Sequence, residues 1–179
     1  MGNIILIGFM GCGKSTVGVK LSYRLRRTIE DTDKLIEKEE GRTISEIFAA
    51  DGEEYFRNLE TECLKNMRQT VHNQIISVGG GLPMREENHK LLKELGTVIY
   101  LRASADTIYE RLKYDTTRPL LQGDNPQEKI RTLLKGRAAT YERAADVIVD
   151  VDDKDFDAIL DEIVKYLQIK DNPKANKIL

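Results

Sequence analysis

The segment Gly8-Phe9-Met10-Gly11-Cys12-Gly13-Lys14-Ser15-Thr16 leaves the chain few folds to choose from. Behind it stands the apolar run Ile4-Ile5-Leu6-Ile7, and ahead of it lies a stretch with helical spacing to about Arg26. A buried strand, a turn of the form G-x-x-x-x-G-K-S and a helix in direct succession make a phosphate-binding loop. Glycines let the backbone wrap so that the N–H groups from Gly11 through Cys12 and Gly13 to Thr16 face phosphate oxygens, and the positive end of the helix adds to them. Lys14 is placed to reach the β and γ phosphates of a nucleoside triphosphate. Ser15 would give a hydroxyl to Mg²⁺ and Thr16 one to the α phosphate.

Short β-branched runs recur at residues 3–8, 74–78, 97–101 and 146–151, with a poorer one at 27–31 whose only strand formers are Thr28 and Ile29. Helical spacing fills 14–26, 32–40, 53–69, 85–95, 105–113, 127–144 and 155–167. Such alternation predicts an α/β fold, a parallel sheet with helices on both faces. No linker or internal repeat divides the 179 residues, so a single domain over residues 1–169 is expected. Between the last two strands, Tyr114 to Gln127 (YDTTRPLLQGDNPQ) is rich in turn formers, and a mobile lid over about residues 114–126 is the expectation. The tail from Lys170 to Leu179 lacks a helical period and is expected to be disordered.

With 28 Lys and Arg against 30 Asp and Glu, a net charge of -2 argues against a nucleic acid or membrane partner. The sequence has neither a basic leader nor an apolar run long enough to span a bilayer, which predicts a soluble, cytoplasmic protein. Cys12 and Cys63 are far apart and form no C-x-x-C pair, so reduced, unpaired thiols are expected.

A phosphate loop of this kind is commonly served by an Asp at the end of a second apolar strand, yet Ile75-Ile76-Ser77-Val78 runs into Gly79-Gly80-Gly81. The nearest acids are in Glu30-Asp31-Thr32-Asp33. On an extended chain Asp31 and Asp33 point the same way, which suits one acid beside the metal and one beside an acceptor hydroxyl whose proton it takes. The alternative is that Asp33 or Thr32 only caps the helix that follows. Gly79 to Gly81 bring bare backbone to the crevice where open α/β sheets bind ligands, or form a plain flexible turn. Arg57 and Arg137, if they converge, make a bidentate site for a carboxylate; taken singly, each reads as half of a surface ion pair, Arg57 with Glu60 for example.

Taken in order, GFMGCGKSTVG, DTDKLIE, ISEIFAADGEEYFRNLE, SVGGG, TRPLL and GRAATYERAAD resemble the shikimate kinase family over nearly the whole chain, from Asn3 to about Asp153. That resemblance implies a nucleoside-monophosphate-kinase-like fold of three layers with a five-stranded parallel sheet in the order 2-3-1-4-5. It implies transfer of the ATP γ-phosphoryl to the 3-hydroxyl of shikimate by a monomer. By matching position, Asp33 would be the base and hold the shikimate hydroxyls, Asp31 and Ser15 would stand at Mg²⁺, and Arg57 and Arg137 would hold the carboxylate. Gly79, Gly80 and Gly81 would meet the ring hydroxyls, Arg118 would swing onto the phosphates beside Lys14, and Arg111 and Lys154 would lie on the adenine side.

The chain departs from the family pattern in two places. RLRRTIEDTD is shorter and more charged than the usual lead into Asp-x-Asp, which favours an edge position for its strand, and Leu82-Pro83 replaces a freer apolar pair. Two rivals remain at this level: another small-molecule kinase with this loop, of the gluconate kinase kind, and a binding protein that keeps the nucleotide without the chemistry.

Overall fold

A computed structural model of the chain describes residues 2–114 and 125–171. Its sheet has the strands β1 (Asn3–Ile7), β2 (Ile29–Asp31), β3 (Ile75–Ser77), β4 (Gly96–Arg102) and β5 (Val147–Asp150), all parallel in the order β2-β3-β1-β4-β5. The helices are α1 (Lys14–Leu25), α2 (Thr32–Glu40), α3 (Ile44–Thr70), α4 (Glu86–Leu95), α5 (Ala105–Leu112), α6 (Pro126–Ala144) and α7 (Phe156–Asp171). The expected sheet order is the observed one.

β1 is the central strand, and all five of its residues are buried. A strand buried at every position has both faces covered, as parallel crossovers require. α1 packs on β1, β2 and β3 and against α7, whereas α4 packs on β1 and β4 and against α3 and α6. The chain leaves β1 for β2 and β3 on one side and reaches β4 and β5 on the other, so a crevice opens at the carboxyl end of β1, where the phosphate loop begins. Register brings the second acidic segment there too: Asp31 lies opposite Ser77, and Ser77 opposite Leu6.

Three boundaries differ from expectation. β2 begins at Ile29 and not at Arg27, because Arg26 takes left-handed backbone (φ 52°) and the Arg27 N–H still closes α1 on the Ser22 carbonyl at 3.0 Å. The result is a short edge strand. The helix expected over 53–69 begins earlier, at Ile44, where Thr43 and Glu46 cap each other's backbone, and it passes Gly52 through a kink (φ 83°, ψ 177°) before the arm that carries Arg57. α7 extends to Asp171, so Lys170, expected in the tail, is helical and its ammonium is hydrogen-bonded to the Thr97 hydroxyl at 2.8 Å.

Candidate active site

The carboxyl ends of β1, β2 and β3 open on a cleft of about 360 Å³, with Gly11 and Gly13 to Thr16 on one wall and Asp31, Asp33, Gly79 and Gly80 on the other. α1 starts with no side-chain cap and no acid in its first turn. Its first N–H groups and positive end are therefore available to an anion. Lys14 rests its ammonium on the carbonyls of Gly8 (2.8 Å) and Phe9 (3.2 Å). Arg111 reaches over from α5 to the Cys12 carbonyl at 2.8 Å and lines the same cleft. Cys12 itself is buried, so it offers the site backbone and not a thiol.

Asp31 and Asp33 do not share an extended strand. Asp31 ends β2 and caps α2, its Oδ1 accepting from the N–H groups of Asp33 (3.0 Å) and Lys34 (3.3 Å), while Asp33 already stands in the first turn of α2. The capping that the sequence offered to Asp33 or Thr32 thus falls to Asp31, and the Asp33 carboxylate is left to the cleft. Thr32 has a different duty: its buried hydroxyl accepts from the Gly79 N–H at 3.0 Å and ties the corner of α2 to the glycine run.

Two carboxylate oxygens in this corner, Asp33 Oδ1 and Glu60 Oε1, are buried with no hydrogen-bond partner. Both face Gly79. A methyl group there would stand 2.5 Å from the Asp33 oxygen and 2.9 Å from that of Glu60, so any larger residue would push these carboxylates out of place. Burial, reinforced by the nearby Asp31 charge, pushes Asp33 up to about 6. Burial also pushes Glu60 up to about 7, against the pull of Arg57 and with Asp33 adding to the rise. A desolvated carboxylate with a free oxygen beside a phosphate loop has the chemistry of a general base.

Arg57 does pair with Glu60 (2.7 Å), and also with Glu53 (2.9 Å), but Glu60 is fully buried, so this is no ordinary surface pair. The Arg57 guanidinium lies against Gly81. From the other side α6 brings Arg137, stacked over the Phe9 ring at 5.7 Å and beside the Tyr141 hydroxyl, which donates to the Gly80 carbonyl at 2.6 Å. The two arginines thus flank the glycine run. Lys154 is paired with Glu162 at 2.5 Å, and from its segment it is Phe156 that lines the cleft. Arg118 and the expected lid lie outside the described residues, apart from Tyr114, Asn125 and Pro126. Sequence reasoning passed over Glu60, Thr32, Tyr141 and Phe156 as site residues. Glu60 had shown only as an i, i+3 partner of Arg57, and nothing in its spacing marks it as buried.

The family model described as Shikimate kinase matches residues 10–168. The shikimate kinase of Thermodesulfovibrio yellowstonii is 43% identical over 175 residues, covering 98% of this chain and 100% of that protein. Among solved structures, the shikimate kinase of Acinetobacter baumannii in complex with shikimate superposes with a TM-score of 0.87 at 34% identity, covering 100% of this chain and 96% of that one. The deoxyadenosine kinase of M. mycoides with bound dATP shares the fold alone, at a TM-score of 0.60 and 18% identity over 93% of this chain and 99% of its own.

Proposed function

The chain belongs to the shikimate kinase family, and we propose that it transfers the γ-phosphoryl group of ATP to the 3-hydroxyl of shikimate, giving shikimate 3-phosphate and ADP for aromatic amino acid biosynthesis. The observation that carries the acceptor assignment is the unpartnered, buried Asp33 oxygen, set across a glycine backbone from the phosphate loop. Asp33 takes the proton of the 3-hydroxyl as that oxygen bonds to the γ phosphorus. The bond from phosphorus to the β–γ bridging oxygen breaks, and its electron pair leaves on ADP.

Around that step the other groups orient and neutralise. Lys14 and the N–H groups from Gly11 to Thr16 hold the phosphates, with Arg118 assigned to them by the family likeness. Arg57 and Arg137 grip the shikimate carboxylate, and the backbone of Gly79 to Gly81 meets the ring hydroxyls. Arg111 is given the nucleoside end of the cleft, which Phe156 lines as well, and Lys154, paired with Glu162, is assigned to that end by the family likeness alone.

The donor set suits Mg²⁺. Ser15 supplies a hydroxyl and Asp31 a carboxylate, both lining the cleft, and such a sparse protein share is what this ion takes when phosphate and water oxygens complete its shell. When bound, it would neutralise charge on the β and γ phosphates. We assign a monomer on the family likeness, and among the described residues no helix is long and apolar enough to cross a membrane. We assign it to the cytoplasm, where ATP is at hand, with no nucleic acid partner.

A coupled ADP-release assay with ATP and Mg²⁺ tests the reading, comparing shikimate with gluconate, AMP and no acceptor, in wild type and Asp33→Asn. Turnover that needs shikimate and collapses in the variant is the expected result. Turnover on gluconate alone, or ATP binding with none on any acceptor, overturns it.

A further inference from the structure

α6 carries one more group to the site, and nothing assigned so far uses it. Tyr141 is fully buried, and its ring stacks on Tyr100 of β4 with centroids 5.1 Å apart. A buried phenol is costly unless its hydroxyl is satisfied. Here the hydroxyl donates to a single carbonyl, that of Gly80, at 2.6 Å.

What that bond fixes follows from the planarity of the peptide. The Gly80 carbonyl and the Gly81 N–H belong to one trans unit and point opposite ways, so holding the first toward Tyr141 aims the second away from it. Glycines have no side chains with which to lock such a unit; the turn is closed on either side of it by the Leu82 N–H on the Gly79 carbonyl (3.1 Å) and the Met84 N–H on the Gly81 carbonyl (2.9 Å), and the Tyr141 hydroxyl holds the Gly80 carbonyl between them. The same segment packs on the phosphate loop, for the Cβ position of Gly80 lies 3.4 Å from the Gly8 carbonyl oxygen and 3.6 Å from the Met10 nitrogen. Arg137 precedes Tyr141 by one helical turn, with its guanidinium beside the same hydroxyl. With its proton spent on Gly80, that oxygen keeps its lone pairs for Arg137.

The geometry points to Tyr141 as a positioning residue for the acceptor, its hydroxyl joining the Gly80 carbonyl to Arg137 and so setting the spacing between the backbone that meets hydroxyls and the guanidinium that meets a carboxylate. This rests on the acceptor assignment made above. It gives the site a means of selecting a carboxylated polyol by the distance between its two ends.

Tyr141→Phe keeps the ring and removes only the joint. The expected result is a rise in KM for shikimate on the order of tenfold with KM for ATP within about twofold, since one buried hydrogen bond is lost on the acceptor side alone. Preference for shikimate over its uncharged methyl ester should shrink in the same variant, because Arg137 loses its support. Tyr100→Leu, which removes the stacking and keeps the hydroxyl, should lower the Tm and leave both readouts near wild type. The proposal is overturned if Tyr141→Phe leaves the shikimate KM and the acid-over-ester preference unchanged, if both KM values rise together, or if Tyr100→Leu reproduces the split. Wild-type protein that turns over no shikimate is a different result, and it overturns the acceptor assignment itself.

Discussion

Asp33 keeps one carboxyl oxygen buried without a donor, and its pKa stands near 6 against an ordinary 3.8. Because the folded state holds the proton more tightly than the unfolded chain, the stability this group lends is complete below about pH 4 and is lost as the pH rises through 6. Glu60 extends the same loss toward about 7. The burden of the ionised Asp33 is on the order of 2 to 3 kcal/mol at neutral pH. Asp33→Asn should therefore melt above wild type at pH 8, with the gap closing by about pH 4, and a thermal denaturation series across that range checks the sign. Activity moves the other way: kcat/KM for shikimate should climb about tenfold per pH unit until pH 6 and then level, and the Asn variant should lose about a thousandfold. A second residue-scale outcome concerns Gly79, whose added methyl would stand 2.5 Å from the Asp33 oxygen. Gly79→Ala is expected to cut kcat/KM for shikimate by about a hundredfold or more, with ATP affinity, read by nucleotide titration, within about threefold of wild type.

α3 shows how an element can be divided so that one part anchors and the other acts. Its first arm is started by Thr43 and Glu46 and buries Ile47, and Phe48 meets Phe56 of the second arm with ring centroids 4.9 Å apart. Between the arms Gly52 has φ 83° and ψ 177°, a conformation that side chains scarcely tolerate. Gly52→Ala should destabilise the fold by about 1–3 kcal/mol, read as a lower urea midpoint with unchanged slope, and should raise KM for shikimate because the second arm carries Arg57 and Glu60. An unchanged midpoint would mean that the kink is not needed. The first arm carries a start signal in Thr43-x-x-Glu46 ahead of Ile47 and Phe48, but a glycine and an acid-rich stretch interrupt the period and hid it. β2, by contrast, was over-extended, since propensity at Thr28 and Ile29 says nothing of the αL turn at Arg26 that closes α1 first.

Across the whole molecule, what could be read from the chain is what depends on local order. Strand, glycine turn and helix follow one another without a gap at Ile4 to Thr16, and the sheet order followed from the family likeness carried by the motifs. Burial depends on the assembled chain, and so Glu60 and Tyr141, ordinary residues on two helices, became site residues only where α3 and α6 meet the glycine run. Buried polar links hold these parts as one body. Thr61 of α3 donates to Asn88 of α4 at 2.9 Å, Asn88 donates to the Leu82 carbonyl at 2.9 Å, and Thr32 ties Gly79 to α2. If that coupling is complete, α3 opens only when the whole domain unfolds. Cys63 of α3 reports on it, because burial pushes its thiol up to about 12 and leaves almost no reactive thiolate in the folded protein near pH 8. In a Cys12→Ala background, which leaves Cys63 as the one thiol, ATP with Mg²⁺ at a hundred times its Kd stabilises the fold by about 2.7 kcal/mol and should slow labelling of Cys63 about a hundredfold, although none of the groups assigned to the nucleotide belongs to α3. Slowing of less than about twofold would mean that α3 opens by itself. The acceptor-binding arm would then be a separate cooperative unit resting on the nucleotide-binding one.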